Sequence, residues 1–344
     1  MKKVMLVTNC LTGGGAERSM NLLANELMSR GLTLSLVPIN RSGQDLVTPN
    51  CEIFPLFRNP KLGNLQTTRA YLKFVLAVYK WKPEIIVLNC DLPELFGAFL
   101  PRFQKIIVVE HANPSWSNRI NIGKLVRKIL FFRRVSFIAV SPHLSIWPKG
   151  TKPDFICENL IIPISTAPKV NLEHSSLSRI VFVGRLTNFQ KRPFQILDIS
   201  SALNIPTVFI GEGPERKALT EDAQRRKIDA SFTGYVTDPW SLVSQNDLLI
   251  VPSRFEGDGL VVVEAMQLNI PILLADIPDF RRFRLPDIHY CSSLENFVNT
   301  IEAYRENICD LVIPDEDSRR ILESRSPRKV GDAWVFLFKS LGGF

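Results

Sequence analysis

A strand, a glycine loop, a helix and a second strand open the chain, and that order admits few folds. Residues 4–8 read as a strand and residues 9–15 as a loop ending in three glycines. Residues 16–30 read as a helix with Met20, Leu23 and Leu27 on one face and Gly31 as its stop. Residues 34–39 form the next strand. Such a βαβ unit implies a parallel sheet, with helices covering both faces. Predicted helices at 65–81 and 123–134 and strands at 85–89, 105–109 and 137–140 continue it.

Residues 164–178 turn polar and carry Pro168 and a Ser-Ser-Leu-Ser cluster, which marks a boundary. Strands resume at 180–183, 207–210, 231–233, 248–251 and 272–274, separated by helices. The expected fold is α/β: two facing Rossmann-like, doubly wound parallel-sheet domains, residues 1–165 and 166–327, followed by a helical segment, 328–344. At 344 residues the chain can bury two cores. Facing sheets would place a cleft at the carboxyl ends of their strands.

No apolar run reaches the length of a membrane span, so a cytoplasmic chain is the expectation. Six scattered cysteines form no CxxC pair and four distant histidines no ligand spacing, so neither disulfides nor a metal site is expected. Net charge is +8, unevenly spread: residues 1–165 hold 21 Lys and Arg against 10 Asp and Glu, the remainder 21 against 24. A basic first half fits either an anionic partner (membrane surface, phosphate-bearing acceptor or nucleic acid) or solubility alone.

Three segments carry Gly-x-Gly: Gly13-Gly14-Gly15, Gly211-Glu212-Gly213 and Gly257-Asp258-Gly259. None completes a dinucleotide fingerprint and none is a P-loop, which argues against NAD and ATP hydrolysis and leaves general phosphate binding. Arg185 follows a strand and Gly184, and Lys191 stands near the next helix. They are either two solvated cations or a guanidinium fork and a point charge for a diphosphate. Glu256 and Glu264 flank the start of an apolar helix. They read as an acid/base pair, as acceptors for sugar hydroxyls or as solvated helix-start carboxylates. Glu264, among valines, is expected to face a partner such as a ribose diol. Asp258 reads as a helix cap. His111 follows a strand and Glu110, and is either structural or a substrate contact. The 124–134 segment alternates basic and apolar residues, as a membrane-surface helix or an ordinary amphipathic one would.

Gly13-Gly14-Gly15-Ala16-Glu17-Arg18, Val183-Gly184-Arg185-Leu186 with Lys191, Gly211-Glu212-Gly213-Pro214-Glu215-Arg216, and Glu256 followed by Glu264 resemble glycosyltransferase family 4. The resemblance runs from Lys3 to about Asp279 and implies retaining enzymes of the GT-B fold. It implies a second domain for the nucleotide-sugar donor, a UDP-sugar in kind, and a first domain for a glycan, lipid-linked glycan or lipopolysaccharide-type acceptor at the inner membrane face. Arg185 and Lys191 would hold the diphosphate and Glu264 the ribose. Glu256 with Gly257, Asp258, Gly259 and Leu260 would hold sugar and phosphate. Gly14 and Gly15 would approach the phosphate, His111 the transferred sugar, and Tyr235 and Val236 the base. The last helix would cross back to the first domain. No metal, cofactor or nucleic acid is implied. A non-catalytic nucleotide-sugar-binding subunit, an epimerase and a phosphorylase are the alternatives. The chain departs from the family pattern at Asp258, where an aromatic is usual, at Asn269-Ile270 before Pro271, and in the glycine-free segment 276–283.

Overall fold

The computed structural model describes residues 3–11, 14–41, 50–59, 62–101, 104–111, 115–116, 119–164 and 177–342. Gly13 and residues 165–176, which hold the expected boundary, lie outside them. The chain divides into two compact units, Met1–Ile162 with Ser324–Phe344, and Pro163–Glu323.

The first unit runs β1 (Lys3–Thr8), α1 (Gly15–Ser29), β2 (Thr33–Pro38), β3 (Glu52–Ile53), α2 (Gly63–Trp81), β4 (Ile85–Asn89), α3 (Asp91–Ala98), β5 (Lys105–Glu110), α4 (Ile120–Phe132), β6 (Ser136–Ala139) and β7 (Phe155–Ile156). Its strands form one parallel sheet in the order β3-β2-β1-β4-β5-β6-β7. Both faces are covered, so the strands are continuous apolar runs, and successive residues enter opposite cores. Leu6, Val87 and Ile107 pack on the α1 side. Met5, Ile86 and Val108 pack with Phe74 of α2, Phe96 of α3 and Val126 of α4.

The second unit runs β8 (Arg179–Val183), α5 (Phe194–Leu203), β9 (Thr207–Ile210), α6 (Arg216–Arg225), β10 (Ala230–Gly234), β11 (Asp247–Val251), α7 (Leu260–Gln267), β12 (Ile272–Ala275), α8 (Pro278–Arg281), β13 (Tyr290–Cys291), α9 (Leu294–Arg305) and α10 (Asp315–Ser324). Its parallel sheet has the order β10-β9-β8-β11-β12-β13. The chain then closes with α11 (Pro327–Ser340). That helix lies in the first unit, where Trp334, Leu337 and Phe338 join the α1 core. Arg30 fixes it by donating to Asp332 at 2.5 Å and to the Arg328 carbonyl at 2.7 Å.

Each sheet reverses its strand order once, between β1 and β4 and between β8 and β11. At such a switch point the helices leave to opposite faces, and the loops after the strands are left open for ligands. The candidate residues collect at these two places.

Candidate functional site

In the second unit the loops after β8 and β11 are stitched together residue by residue. The Arg254 N–H donates to the Gln190 carbonyl at 2.8 Å, and Gln190 Nε2 donates to the Phe255 carbonyl at 3.3 Å. Phe189 meets Phe255 edge-on, with centroids 5.4 Å apart. Lys191 Nζ lies 2.5 Å from Glu256 Oε1. Two segments 65 residues apart thus meet at one switch point.

Glu256 is 6% exposed, so its contacts define what it can do. The Ser253 hydroxyl donates to the same Oε1 at 2.6 Å, and Asp279 Oδ2 accepts the Glu256 backbone N–H at 2.6 Å. Lys191 and Ser253 each use Glu256 as an acceptor. An ammonium has three donors, so the ion pair does not exhaust Lys191. Arg185 is exposed in the same loop that carries Lys191.

The helix that follows begins at Gly259, whose φ of 61° is left-handed. A Cβ there would also come within 3.3 Å of the Phe280 ring, so only glycine suits. In the first turn of α7 the Val262 N–H donates to the Gly259 carbonyl at 2.9 Å. Asp258 does not cap this helix, contrary to its reading as a cap. Its carboxylate is pulled away by Arg282, which donates to Asp258 Oδ1 at 2.7 Å and to its carbonyl at 2.5 Å. The ion pair is nearly buried, at 10% and 5% side-chain exposure. Asn269, with φ 52°, takes the left-handed position after α7 that glycine usually holds.

Glu264 is held by the indole of Trp240, whose Nε1–H donates to Oε2 at 2.9 Å. Trp240 is itself 1% exposed, so the carboxylate is oriented by a fixed group. Tyr235 is exposed, and Val236 is half-buried, just after Gly234 at the end of β10. The Gly211–Gly213 segment has a packing reason rather than a ligand one. A Cβ on Gly211 would stand 2.0 Å from the Gly184 carbonyl oxygen, and one on Gly213 2.3 Å from that of Leu186. These glycines let the end of β9 lie against the loop that carries Arg185.

In the first unit, His111, Gly14 and Gly15 lie at the β1/β4 switch point and the neighbouring end of β5. His111 Nε2 contacts Asn89 Oδ1 at the end of β4. The Gly14 N–H, at the start of α1, donates to Glu17 Oε2 at 3.1 Å. Beneath His111, Arg127 of α4 is fully buried between two carboxylates. It donates to Glu94 at 2.6 Å and to Glu110 at 2.7 Å. Trp116 Nε1 adds a bond to Glu94 at 2.9 Å. One guanidinium cannot neutralise two buried carboxylates. Burial, reinforced by the charge of Glu94, pushes the Glu110 carboxyl up to about 7. Arg127 is therefore no part of an exposed basic stripe; of the two readings of 124–134, its burial fits a helix packed on its sheet.

Ser253, Trp240, Asp279, Arg282, Asn89 and Glu94 escaped the sequence reading. All but Ser253, three residues from Glu256, act through a partner distant in sequence, and none stands in a motif. Asp279 and Arg282 left one signal: they occupy the stretch where the chain departs from its relatives.

Residues 164–283 match the family model "Glycosyl transferases group 1". The match lies wholly within the second unit. The matched span includes Arg185, Lys191, Glu256 and Glu264. The O-antigen biosynthesis glycosyltransferase WclY of Escherichia coli is 31% identical over 105 residues, 29% of this chain and 30% of WclY. The chain spans less than a third of the length of the curated relatives it matches, 30%, 21% and 24%. Anabaena HepE, solved with UDP and glucose, superposes with a TM-score of 0.78 at 15% identity, covering 99% of this chain and 100% of HepE. The lipopolysaccharide outer core galactosyltransferase WaaB, in its apo form, gives 0.68 at 16% identity, with 99% of each chain covered. These likenesses establish the two-unit GT-B fold.

Within the matched span, the Trp240–Glu264 bond permits a direct prediction. Trp240→Phe keeps the ring and removes the donor. Its stability cost is expected to be about 1 kcal/mol from the lost bond. Thermal unfolding measures it, and an unchanged Tm would mean that the bond adds no stability.

Proposed function

We propose that the protein is a retaining glycosyltransferase. It moves a sugar from a nucleotide-sugar, a UDP-sugar in the first instance, to a hydroxyl of a lipid-linked glycan or lipopolysaccharide-type acceptor. The observation that carries this is the joining of Lys191 to Glu256 at the β8/β11 switch point, within a loop pair that also holds Arg185. Cations for a diphosphate and an acceptor for sugar hydroxyls stand side by side. The family match over residues 164–283 and the names of the curated relatives support the same class.

The proposed roles are those that the family resemblance implies, and charge and geometry support them. Arg185 and Lys191 take the diphosphate, together with the N–H groups of residues 257–260 at the start of α7. Glu256 accepts from the sugar, Glu264 accepts from the ribose, and Tyr235 with Val236 flanks the base. The first unit takes the acceptor side, with Gly14, Gly15 and His111 as its candidate substrate contacts. As the anomeric C–O bond to the diphosphate breaks, the acceptor oxygen attacks from the same face, and its proton passes to the leaving phosphate oxygen. The two cations stabilise the charge that develops on that phosphate, so the step is proposed to need no metal.

A panel of UDP-, GDP- and ADP-sugars tests the reading. One donor is expected to raise Tm, since a ligand of the native state stabilises it. That donor should then transfer its sugar to a lipid-linked glycan in the presence of EDTA. Turnover without any acceptor would indicate an epimerase instead. Turnover with inorganic phosphate as acceptor would indicate a phosphorylase. Binding without turnover by the intact chain on any acceptor would favour the non-catalytic reading.

One surface supports the proposal of a membrane-borne acceptor. Among the described residues, no helix is long and apolar enough to cross a bilayer. Yet residues 53–83 and 111–153 contain no Asp or Glu. α2 and α4, from these stretches, cover the same face of the first sheet. Leu65, Leu72, Leu76 and Tyr79 of α2 are 56–76% exposed, spaced along one stripe with Arg69 and Lys73 beside them. α4 adds exposed Leu125 and Phe132 with Lys124 and Lys128. Apolar side chains ringed by cations suit an anionic, cytoplasmic-side bilayer surface. Leu72→Ser/Leu76→Ser and Lys124→Gln/Lys128→Gln are each expected to weaken sedimentation with phosphatidylglycerol vesicles severalfold. Equal binding by wild type and both variants would remove the membrane from the proposal.

A further inference from the structure

We propose that Asn89 is the positioning residue for His111, and that it holds the neutral imidazole as the Nε2–H tautomer, with the lone pair on Nδ1. The consequence for substrate rests on reading His111 as a sugar contact; the tautomer assignment does not.

Asn89 is the last residue of β4 and has no exposed surface. Its amide nitrogen lies 3.3 Å from Thr8 Oγ1 and 3.4 Å from the Ala16 carbonyl oxygen. Its Oδ1 faces His111 Nε2. The Ala16 carbonyl can only accept, so the amide must present its NH₂ to that oxygen; flipping it would set two acceptors against each other. Oδ1, also an acceptor only, then faces the imidazole, and Nε2 must carry the hydrogen. In the neutral ring the lone pair falls to Nδ1, so that a group meeting that nitrogen meets an acceptor.

The partner is an amide, and that matters. A carboxylate in the same place would favour the imidazolium, which has no acceptor. Asn89 orients the ring without adding charge. It also ties His111 to β1 through Thr8 and to the first turn of α1 through Ala16, so the glycine loop and the imidazole share one frame. The next residue, Cys90, has φ 79° and ψ 175°, a region nearly reserved for glycine. Strain of this kind persists only where the surroundings over-determine the backbone, and here it fixes the strand end that carries Asn89.

Long-range ¹⁵N–¹H spectra of histidine-labelled protein read the tautomer directly. His111→Gln identifies the His111 signals among those of the four histidines. The wild type above pH 8 is expected to show a protonated-type shift at Nε2 and a bare-type shift at Nδ1. Asn89→Asp should keep that orientation while raising the His111 pKa by about 1–3 units. Its rate profile should then lose activity at a correspondingly higher pH than wild type. Asn89→Leu should give a mixed-tautomer spectrum and lower kcat about 10-fold or more, by analogy with lost supporting bonds at metal-bound histidines. The reversed tautomer in the wild type, or unchanged His111 shifts in Asn89→Leu, would overturn the assignment. If the tautomer is as stated but His111→Ala transfers sugar at the wild-type rate, the sugar-contact reading falls and the positioning by Asn89 stands.

Discussion

Lys191→Ala is expected to reduce sugar transfer about 10²–10³-fold, the usual cost of removing one preorganised group that stabilises developing charge. The loss should fall mainly on kcat. In the proposed step charge builds on the leaving phosphate in the transition state, and an interaction that strengthens there lowers kcat when removed. Glu256→Gln separates the two members of the pair. It keeps an oxygen that can accept from Ser253 and Lys191, so the fold is expected to survive, while the charge proposed to face the sugar is lost. Single-turnover rates with the preferred donor check both variants. A Lys191→Ala enzyme with unaltered kcat would show that the ion pair at 2.5 Å serves only to join the two loops.

Arg127→Met is expected to cost about 3–5 kcal/mol, because it leaves Glu94 and Glu110 buried without their shared cation. Thermal unfolding measures it. Adding Glu94→Gln and Glu110→Gln to Arg127→Met should recover much of the loss, since an uncharged network carries no unpaired charge. The wild type also makes a pH prediction. The folded Glu110 carboxyl lies at about 7, above its ordinary 4.5. Its contribution is therefore fully present below about 4.5 and is lost as the pH rises through about 7. Against Glu110→Gln, wild-type stability should decline across that window, by about 1–3 kcal/mol in total. Parallel stability curves for the two proteins from pH 4 to pH 8 would rule this out.

The opening strand, α1 and β2 were legible because an apolar strand, a glycine loop and an amphipathic helix each leave a periodic trace. α7 and the late helices were legible for the same reason. β3, β7 and β13 were not, since two residues carry no period. Lys191, Glu256 and Glu264 could be picked out by their place at strand ends. Their partners could not. Trp240 reads as one more apolar residue until its indole is found on Glu264. Arg127 reads as one more basic residue on a surface helix until its guanidinium is found between Glu94 and Glu110.

By itself the sequence determined the class of fold, the count of sheets and the strand ends at which chemistry would gather. These follow from the alternation of strands and helices, which local periodicity records. Only the tertiary structure decided which charges meet. Lys191 lies against Glu256, Arg282 against Asp258, and Asn89 against His111, each across a crossover that brings distant strand ends side by side. A side chain's partner depends on strand order, and strand order is set by how the helices cover the sheet rather than by the neighbours of that residue in the chain.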